Sequence, residues 1–337
     1  MTERPILQIK DLKVSFHTGQ SAITAVDGIS FELLEGEILG IVGESGSGKS
    51  VTSLATMGLI PRPPGKIDHG SIEFENRDLT KLKEQELRKI RGNQIAMIFQ
   101  EPMTSLNPLF TIGNQISEAL RIHTRLTKKE RKAKTIELLH LVGIPRASEV
   151  ITEYPHQLSG GMRQRVMIAM AMACNPRVLI ADEPTTALDV TIQAQILSLM
   201  KNLNRNINTS IILITHDLGV VAEICDRVVV MYAGEIVEQG DVRTILKAPQ
   251  HPYTIGLLKS VPDLRGNRGR LYSIPGTILR PGSTRKGCKF AERCETSKRL
   301  CFEEAPPLYQ QSLPNHKVRC FLHKGKQEAD KDVRVTS

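Results

Sequence analysis

The sequence contains no tryptophan, and only 4% of its residues are aromatic. Proteins that bind single-stranded nucleic acid stack bases on exposed aromatic rings, so this composition argues against such a surface. The sequence also lacks any apolar run of the roughly 18 residues that span a bilayer. Its first residues, MTERPILQIKDL, include an early acid and no long apolar core, so they do not predict a secretory signal. We therefore expect a cytosolic protein, with any membrane crossing done by other chains.

Length and charge set broad limits on the class of protein. A chain of 337 residues predicts one large domain with a smaller appendage. The net charge of +9 suits an anionic partner such as a nucleotide, a membrane face or nucleic acid, although a diffuse basic surface explains it equally well. Of the six cysteines, Cys174 and Cys225 lie in apolar or helical contexts and are interpreted as packing residues.

The pattern of apolar runs predicts an α/β fold. Short β-rich runs with intervening turns occupy residues 6 to 42, and the apolar run EILGIVG ends in glycine. Further along, QIAMIFQ, VLIAD and SIILITH are short apolar strands, and helical sequence follows the last two. Strands that alternate with helices indicate a mostly parallel sheet.

Two changes in composition suggest how the chain is divided. Residues from about 102 to 160 are rich in charged, helix-forming segments and predict a helical insertion. After Gln239 prolines recur and four cysteines cluster, which places a boundary near residue 240. We expect a nucleotide-binding domain over 1–240, a C-terminal domain over 241–325 and a disordered polar tail over 326–337.

A glycine-rich loop, GESGSGKS, follows a predicted strand, opens a helix and fits G-x-x-x-x-G-K-[ST] in full. Glycines let the backbone wrap around an anion, and the amides from Gly46 to Ser50 at a helix N-terminus favour a β-phosphate. Lys49 is expected to reach the β- and γ-phosphates, and the Ser50 hydroxyl to coordinate Mg²⁺. The predicted ATP contacts in this loop are Gly43, Ser45, Gly46, Ser47, Gly48, Lys49, Ser50 and Val51.

Polar residues at the ends of the apolar strands complete a predicted hydrolytic site. Asp182 ends VLIAD, where ligands bind in open α/β sheets, and we expect it to hold Mg²⁺ through water. Glu183 is placed to polarise the attacking water as general base. Gln100 ends QIAMIFQ and can reach the metal and the water, His216 ends IILITH and can contact the γ-phosphate, and Asp189 follows in TALD.

The segment LSGGMRQR, residues 158–165, resembles the signature motif of ABC ATPases. The order of motifs matches that family: phosphate loop, Gln100, signature, Asp182, Asp189 in the D-loop, then His216. The resemblance covers roughly residues 6 to 240. Met162 departs from the glutamine that many members carry, and we do not expect this to cost activity.

The resemblance implies a P-loop NTPase fold with an antiparallel β subdomain and a helical subdomain. It also implies a head-to-tail ATPase dimer, because this chain has one phosphate loop and one signature. A second homologous ATPase subunit would complete each site. The residues expected to contact the ATP of that partner are Ser159, Gly160, Gly161 and Gln164. Phe16 matches the residue that stacks on adenine in the family, although it could instead belong to the core.

The segments QEPMTSLNP and DEPTTALDVTIQAQI, together with HPYT at residues 251–254, are similar to the oligopeptide and dipeptide permease branch. The resemblance implies the ATP-hydrolysing subunit of a bacterial peptide importer, peripheral on the cytoplasmic face of the inner membrane. Its partners would be two transmembrane permease subunits and an extracytoplasmic peptide-binding protein, with no nucleic acid. Residues after Gln100 would contact a coupling helix of the permease.

Four cysteines, Cys288, Cys294, Cys301 and Cys320, have the spacing C-x5-C-x6-C-x18-C. Structural zinc sites commonly use tighter pairs, whereas four thiolates on looser spacing suit a cubane iron–sulfur cluster. This C-terminal region also resembles that of dipeptide-permease ATPases in which such cysteines hold a [4Fe–4S] cluster. Zinc and the absence of any metal are the alternatives.

Other functions share some of these motifs. Sister systems import nickel, haem or antimicrobial peptides. Soluble ABC ATPases act on DNA or ribosomes, but they usually carry two cassettes or a coiled-coil insertion, and this chain has neither. A regulatory subunit without hydrolysis is a further alternative, against which Glu183 and His216 argue.

Overall fold

The computed structural model describes residues 4–19, 21–101, 105–185, 189–261, 272–279 and 286–324. The chain divides into two compact units. The first unit comprises Met1–Leu7, Glu32–Ile38 and Glu73–Ile214, and the second comprises Gln8–Phe31, Leu39–Ile72 and Thr215–Ser337. The expected disordered tail, 326–337, lies outside the described residues. In the described part of the chain, no helix combines the length and apolar character that a membrane span requires.

The second unit is built on two groups of strands. The long strands β1 (Pro5–Thr18) and β2 (Ser21–Leu34) lie with β4 (Gly65–Phe74) in the order β2-β1-β4. Strand β3 (Ile38–Val42) is parallel to β9 (Arg227–Tyr232). All five residues of β3 are buried, as expected for a parallel strand covered on both faces.

The predicted C-terminal domain contributes strands to the second unit. Strand β10 (Glu235–Asp241) is antiparallel to β9, and β12 (Lys317–Val318) pairs with β10 through Glu238 opposite Val318. Strand β11 (Tyr309–Gln310) pairs with β12. Residues on both sides of position 240 therefore share one sheet. The helices of this unit are α1 (Lys49–Thr56), α8 (Leu218–Ile224), α9 (Val242–Lys247), α10 (Pro252–Lys259) and α11 (Arg299–Glu303).

The first unit contains a parallel sheet of buried strands. Strands β6 (Ile95–Ile98), β7 (Val178–Asp182) and β8 (Ser210–Thr215) are parallel in the order β6-β7-β8, and every residue in them is buried. This confirms the mostly parallel α/β fold. The short strand β5 (Arg77–Asp78) pairs antiparallel with Glu73 and Phe74, the two residues of β4 that belong to this unit. The helices are α2 (Glu84–Ile90), α3 (Ile112–His123), α4 (Lys128–Leu141), α5 (Ala147–Val150), α6 (Gly160–Met172) and α7 (Val190–Ile207).

Helices α3, α4 and α5 occupy the segment for which the sequence predicts a helical insertion. Thr111 caps α3, and Thr127 caps α4 in a capping box with Glu130. A cap of this kind satisfies amides that have no partner within the helix. Buried apolar residues on α3 and α4, including Ile116 and Leu138, face the interior.

The two cysteines outside the C-terminal group are removed from solvent to different extents. Cys225 is buried, and Cys174 is half-buried with its Sγ 3.8 Å from the carbonyl oxygen of Ala119. Burial raises the pKa of the Cys174 thiol, which keeps it neutral and unreactive. Both placements agree with a packing role.

Candidate functional site

The phosphate loop lies between β3 and α1 in the second unit, and its glycines are required by the backbone. Gly43 has φ 154°, and a Cβ at this position would overlap the carbonyl oxygen of Met231. Gly48 has φ 100°, and a Cβ there would lie 2.6 Å from the carbonyl oxygen of Ala25. A side chain at either position would displace neighbouring main chain, so the loop keeps its path only with glycine.

Lys49 begins helix α1 and is only 6% exposed. Its Nζ donates to the carbonyl oxygens of Gly43 at 2.6 Å and Glu44 at 3.0 Å. The first turn of α1 contains no acidic residue. A buried ammonium group at a helix N-terminus favours an anion, because both the lysine and the helix dipole are positive there.

The other predicted loop residues lie around this lysine. Ser45 and Gly46 are exposed, Ser47 is buried, and Ser50 and Val51 are half-buried. The Ser47 carbonyl oxygen accepts a hydrogen bond from the amide of Gly234 at 3.0 Å, which fixes the loop to the turn after β9. The exposed tip residues and the buried lysine together supply amide, hydroxyl and ammonium donors of suitable chemistry for a phosphate chain.

Phe16, the predicted adenine contact, lies in β1 and is half-buried. A Cβ at Gly65 would lie 3.0 Å from its Cε1, so the ring packs closely against the start of β4. One part of the ring is therefore used in packing, and part remains accessible. Stacking on adenine stays a prediction.

The acidic residues predicted for hydrolysis follow β7 in the first unit. Asp182 is buried at the carboxyl end of this strand, and Glu183 is half-buried with φ 48°. The amide of Glu183 donates to the carbonyl oxygen of Ile214 at 2.9 Å. The Glu183 Oε2 accepts a hydrogen bond from Gln100 Nε2 at 3.0 Å. The structure therefore brings together two of the predicted catalytic side chains, which are 83 residues apart.

The signature residues open helix α6, as expected. Ser159 caps this 13-residue helix, with its Oγ accepting from the Met162 amide at 3.3 Å. Ser159 and Gly160 are exposed, and Gly161 is half-buried. An exposed helix N-terminus that contains two glycines can present main-chain amides to an anion carried by another chain.

Gln164 differs from the other predicted signature contacts. Its side chain is buried, with 3% of the residue exposed, and Nε2 donates to the carbonyl oxygen of Pro184 at 2.6 Å. Gln164 therefore ties the signature helix to the residue that follows Glu183. The sequence pattern does not reveal this link, because it joins two motifs through a main-chain oxygen.

Asp189 and His216 are both exposed. Asp189 caps α7, and its carboxylate accepts from the amide of Ile192 at 2.9 Å. His216 follows β8 directly. Residues 186–188 of the D-loop and 102–104 of the QEPMTSLNP segment lie outside the described residues.

A side chain from the C-terminal region reaches the phosphate loop within the second unit. The Arg293 guanidinium donates to both carboxylate oxygens of Glu44, at 2.7 and 3.1 Å. The Tyr253 hydroxyl accepts from the Glu44 amide at 2.8 Å. The sequence does not reveal that these three residues act as a group, because Glu44 and Arg293 are 249 positions apart.

The four C-terminal cysteines line one small cavity. Burial raises the pKa of Cys288 to about 12, and burial also raises the pKa of Cys320. These thiols are neutral unless a metal displaces their protons. No group of three His, Cys, Asp or Glu side chains among the described residues is arranged to hold a metal ion.

The fold and the phosphate loop define a P-loop ATPase of the ATP-binding cassette class. The family model for "ABC transporter" matches residues 26–186, and the model for "Oligopeptide/dipeptide transporter, C-terminal region" matches residues 237–301. The chain is 53% identical over 322 residues to "Oligopeptide transport ATP-binding protein AppD" of Bacillus subtilis, covering 94% of this chain and 97% of that protein. It is 52% identical over 315 residues to "Dipeptide transport ATP-binding protein DppD" of Haemophilus influenzae, covering 94% of each chain.

Solved structures agree with this class. The dimeric post-hydrolysis structure of the ATP-binding cassette MJ0796, bound to ADP and Pi, matches with a TM-score of 0.64 and 30% identity. The match covers 70% of this chain and 99% of that chain. The chain belongs to the ABC transporter family, as an ATP-binding subunit of the oligopeptide/dipeptide permease type. This confirms the predicted family, fold and ATPase class, and it lends no support to the predicted iron–sulfur cluster.

Proposed function

We propose that this chain hydrolyses MgATP to drive the import of dipeptides and oligopeptides through a membrane permease. The observation that carries the proposal is similarity along nearly the whole chain to AppD, which is named for oligopeptide transport. The similarity includes the C-terminal region, which matches a family model for oligopeptide and dipeptide transporters. A nickel or haem system would share the cassette, but the relatives described above are named for peptides.

The phosphate loop binds the triphosphate in this proposal. Lys49 and the amides from Gly46 to Ser50 supply positive charge to the phosphates, and Phe16 stacks on adenine. Mg²⁺ would be held by the Ser50 hydroxyl, the Gln100 amide oxygen and the Asp182 carboxylate. This donor set fits the ion, because Mg²⁺ prefers hard oxygen ligands, and the ion supplies neutralisation of phosphate charge.

Glu183 acts as the general base that orients and polarises the attacking water. The support is local: the carboxylate is half-buried, lies one residue after Asp182 and is held by the Gln100 amide at 3.0 Å. A hydrogen bond from a neutral amide orients the carboxylate without placing a positive charge beside it. His216 contacts the γ-phosphate and stabilises the charge that develops there.

A second ATPase subunit completes each site in this proposal. Ser159, Gly160 and Gly161 donate to the γ-phosphate of ATP held by the partner, and Asp189 lines the contact between the two chains. The support is the exposed N-terminus of α6 and the presence of one phosphate loop and one signature in the chain. Two transmembrane permease subunits and an extracytoplasmic peptide-binding protein form the rest of the importer. The chain is then peripheral on the cytoplasmic face of the inner membrane.

We also propose that Cys288, Cys294, Cys301 and Cys320 hold a [4Fe–4S] cluster. All four thiols line the same cavity, which supports a shared ligand. A cubane is larger than a single ion and accepts four thiolates spread around it. The cluster would stabilise the C-terminal fold by joining distant segments, since metal binding contributes directly to folding.

The test is co-expression of this chain with its neighbouring transporter subunits and reconstitution into proteoliposomes. We expect the purified complex to contain permease chains, and ATP hydrolysis to rise when a peptide-loaded binding protein is added. Nickel and haem with their binding proteins serve as matched substrates. ATP hydrolysis that is stimulated by nickel or haem but not by peptide would refute peptide import. Co-purification with ribosomal or DNA-repair proteins in place of permease chains would refute it as well.

A further inference from the structure

The phosphate loop contains an acid, Glu44, at the second position of GESGSGKS. A free carboxylate in a loop that binds a triphosphate would repel the ligand. The Arg293 guanidinium compensates this charge with a bidentate contact, Nη1 to Oε2 at 2.7 Å and Nη2 to Oε1 at 3.1 Å. The Arg293 side chain is only 5% exposed, so solvent screens the pair weakly.

The main chain of Glu44 is held as well. Its amide donates to the hydroxyl of Tyr253, a fully buried side chain, at 2.8 Å. Its carbonyl oxygen accepts from Lys49 Nζ at 3.0 Å. One residue of the loop is thus fixed at its amide and carboxylate by the C-terminal region, and at its carbonyl by the lysine that meets the phosphates.

The groups that hold Glu44 are themselves rigidly packed. Arg293 Nε donates to the carbonyl oxygen of Pro275 at 3.0 Å, and its guanidinium lies 5.7 Å from the Tyr232 ring centroid. The rings of Tyr232, Tyr253 and Phe290 pack with centroids 4.7 to 5.4 Å apart. Arg293 and Phe290 also lie between two of the cysteines, in the segment that includes the turn Ala291–Arg293. Phe290 lines the cysteine cavity and packs against Tyr253, so the wall of this cavity adjoins the groups that hold the loop.

We propose that Arg293 and Tyr253 are positioning residues for ATP, through which the C-terminal region holds the phosphate loop in its binding geometry by way of Glu44. This rests on the proposed binding of ATP at that loop. Neither side chain needs to touch the nucleotide. Together they place Lys49 and cancel the one negative charge in the loop, so their loss weakens ATP binding more than it slows the chemical step. Disturbance of the cysteine cavity reaches the ATP site by the same route.

The test is the dissociation constant of the full-length chain for MgATP, measured with a fluorescent ATP analogue and ATP competition. Tyr253→Phe keeps the ring and removes one hydroxyl, and we expect the constant to rise about three- to tenfold. Arg293→Gln leaves the carboxylate uncompensated, and we expect a rise of about tenfold to a hundredfold. Arg299→Gln is the matched control, because Arg299 pairs with Glu303 in the same region but is 92% exposed.

Two further variants separate positioning from general damage. Arg293→Lys should bind MgATP more tightly than Arg293→Gln, because the lysine restores a positive charge near Glu44. The double variant Glu44→Gln/Arg293→Gln should also bind more tightly than Arg293→Gln, because it removes the uncompensated carboxylate. In the assembled transporter, KM for ATP should rise while kcat stays within about twofold of wild type. Loss of MgATP binding in Lys49→Ala would show that the measured binding takes place at the phosphate loop.

The outcomes keep the two proposals apart. Wild type that binds no MgATP, or a Lys49→Ala variant that binds it normally, overturns the proposed function. Normal affinity in both Tyr253→Phe and Arg293→Gln, with binding lost in Lys49→Ala, overturns the positioning role alone. If Arg293→Gln fails to fold, Tyr253→Phe decides, and a lower unfolding midpoint with unchanged affinity counts against the proposal.

Discussion

Replacement of Glu183 by glutamine tests the proposed chemistry most selectively. The structure explains why the change is local: the amide of residue 183 still reaches the carbonyl oxygen of Ile214, and the side-chain oxygen can still accept from Gln100. The variant loses only the basicity of the carboxylate. A positioned general base contributes about 10²- to 10⁴-fold, so we expect kcat to fall by that factor, or about 3 to 5 kcal/mol in barrier height.

The assay is release of inorganic phosphate by the reconstituted transporter, alongside MgATP affinity of the same preparation. Affinity should stay within about twofold of wild type, because Glu183 does not hold the phosphates in the ground state. Glu118→Gln is a suitable control, since Glu118 forms an exposed pair with Arg121 in the same unit. A kcat within about threefold of wild type would refute the assignment of Glu183 as base.

Three further outcomes follow from local geometry. Gly48→Ala should abolish ATP binding while the unfolding midpoint falls only modestly, because the strain of about 1 to 3 kcal/mol is confined to the loop. The control is Gly19→Ala, which is also at positive φ but has open space around it, and this variant should bind ATP normally. Burial lowers the pKa of His251 to about 4, so the unfolded chain binds one more proton between about pH 6.5 and 4. The free energy of unfolding should therefore fall by up to about 3 kcal/mol as the pH drops through this window. Calorimetry of His251→Gln should show a smaller loss of unfolding free energy over the same pH range. An equal loss in the variant and the wild type would contradict the reasoning. Anaerobically purified protein should contain about four iron atoms per chain and absorb broadly in the visible range. Cys288→Ser should lose both the iron and the absorbance. A colourless, iron-free and active wild-type preparation would contradict the cluster.

The features that the sequence predicts well are those in which neighbouring residues decide the structure. The loop at Gly43 to Ser50 follows a buried strand and opens α1, because its glycines and its lysine specify that turn locally. Ser159 and Asp189 cap the helices that follow them, as short polar residues before apolar periodic segments commonly do. The parallel strands are recognisable as continuous apolar runs.

The features that the sequence does not reveal depend on contacts between distant segments. The pairing of Lys317–Val318 with β10 brings the predicted C-terminal domain into the sheet of the second unit, and two residues carry too little pattern to predict it. The link from Gln164 to the main chain of Pro184 uses a carbonyl oxygen that every residue has. The pairing of Glu44 with Arg293 requires knowledge of which surfaces meet.

The central claim is that a buried lysine and a ring of main-chain amides bind the phosphates of ATP. The most direct measurement compares equilibrium binding of MgATP to the wild-type chain and to Lys49→Ala under identical conditions. The variant loses a charge-assisted contact to the phosphates and the bonds from Nζ to Gly43 and Glu44, so we expect its dissociation constant to rise by at least about tenfold. Equal affinity of the two proteins would contradict the account.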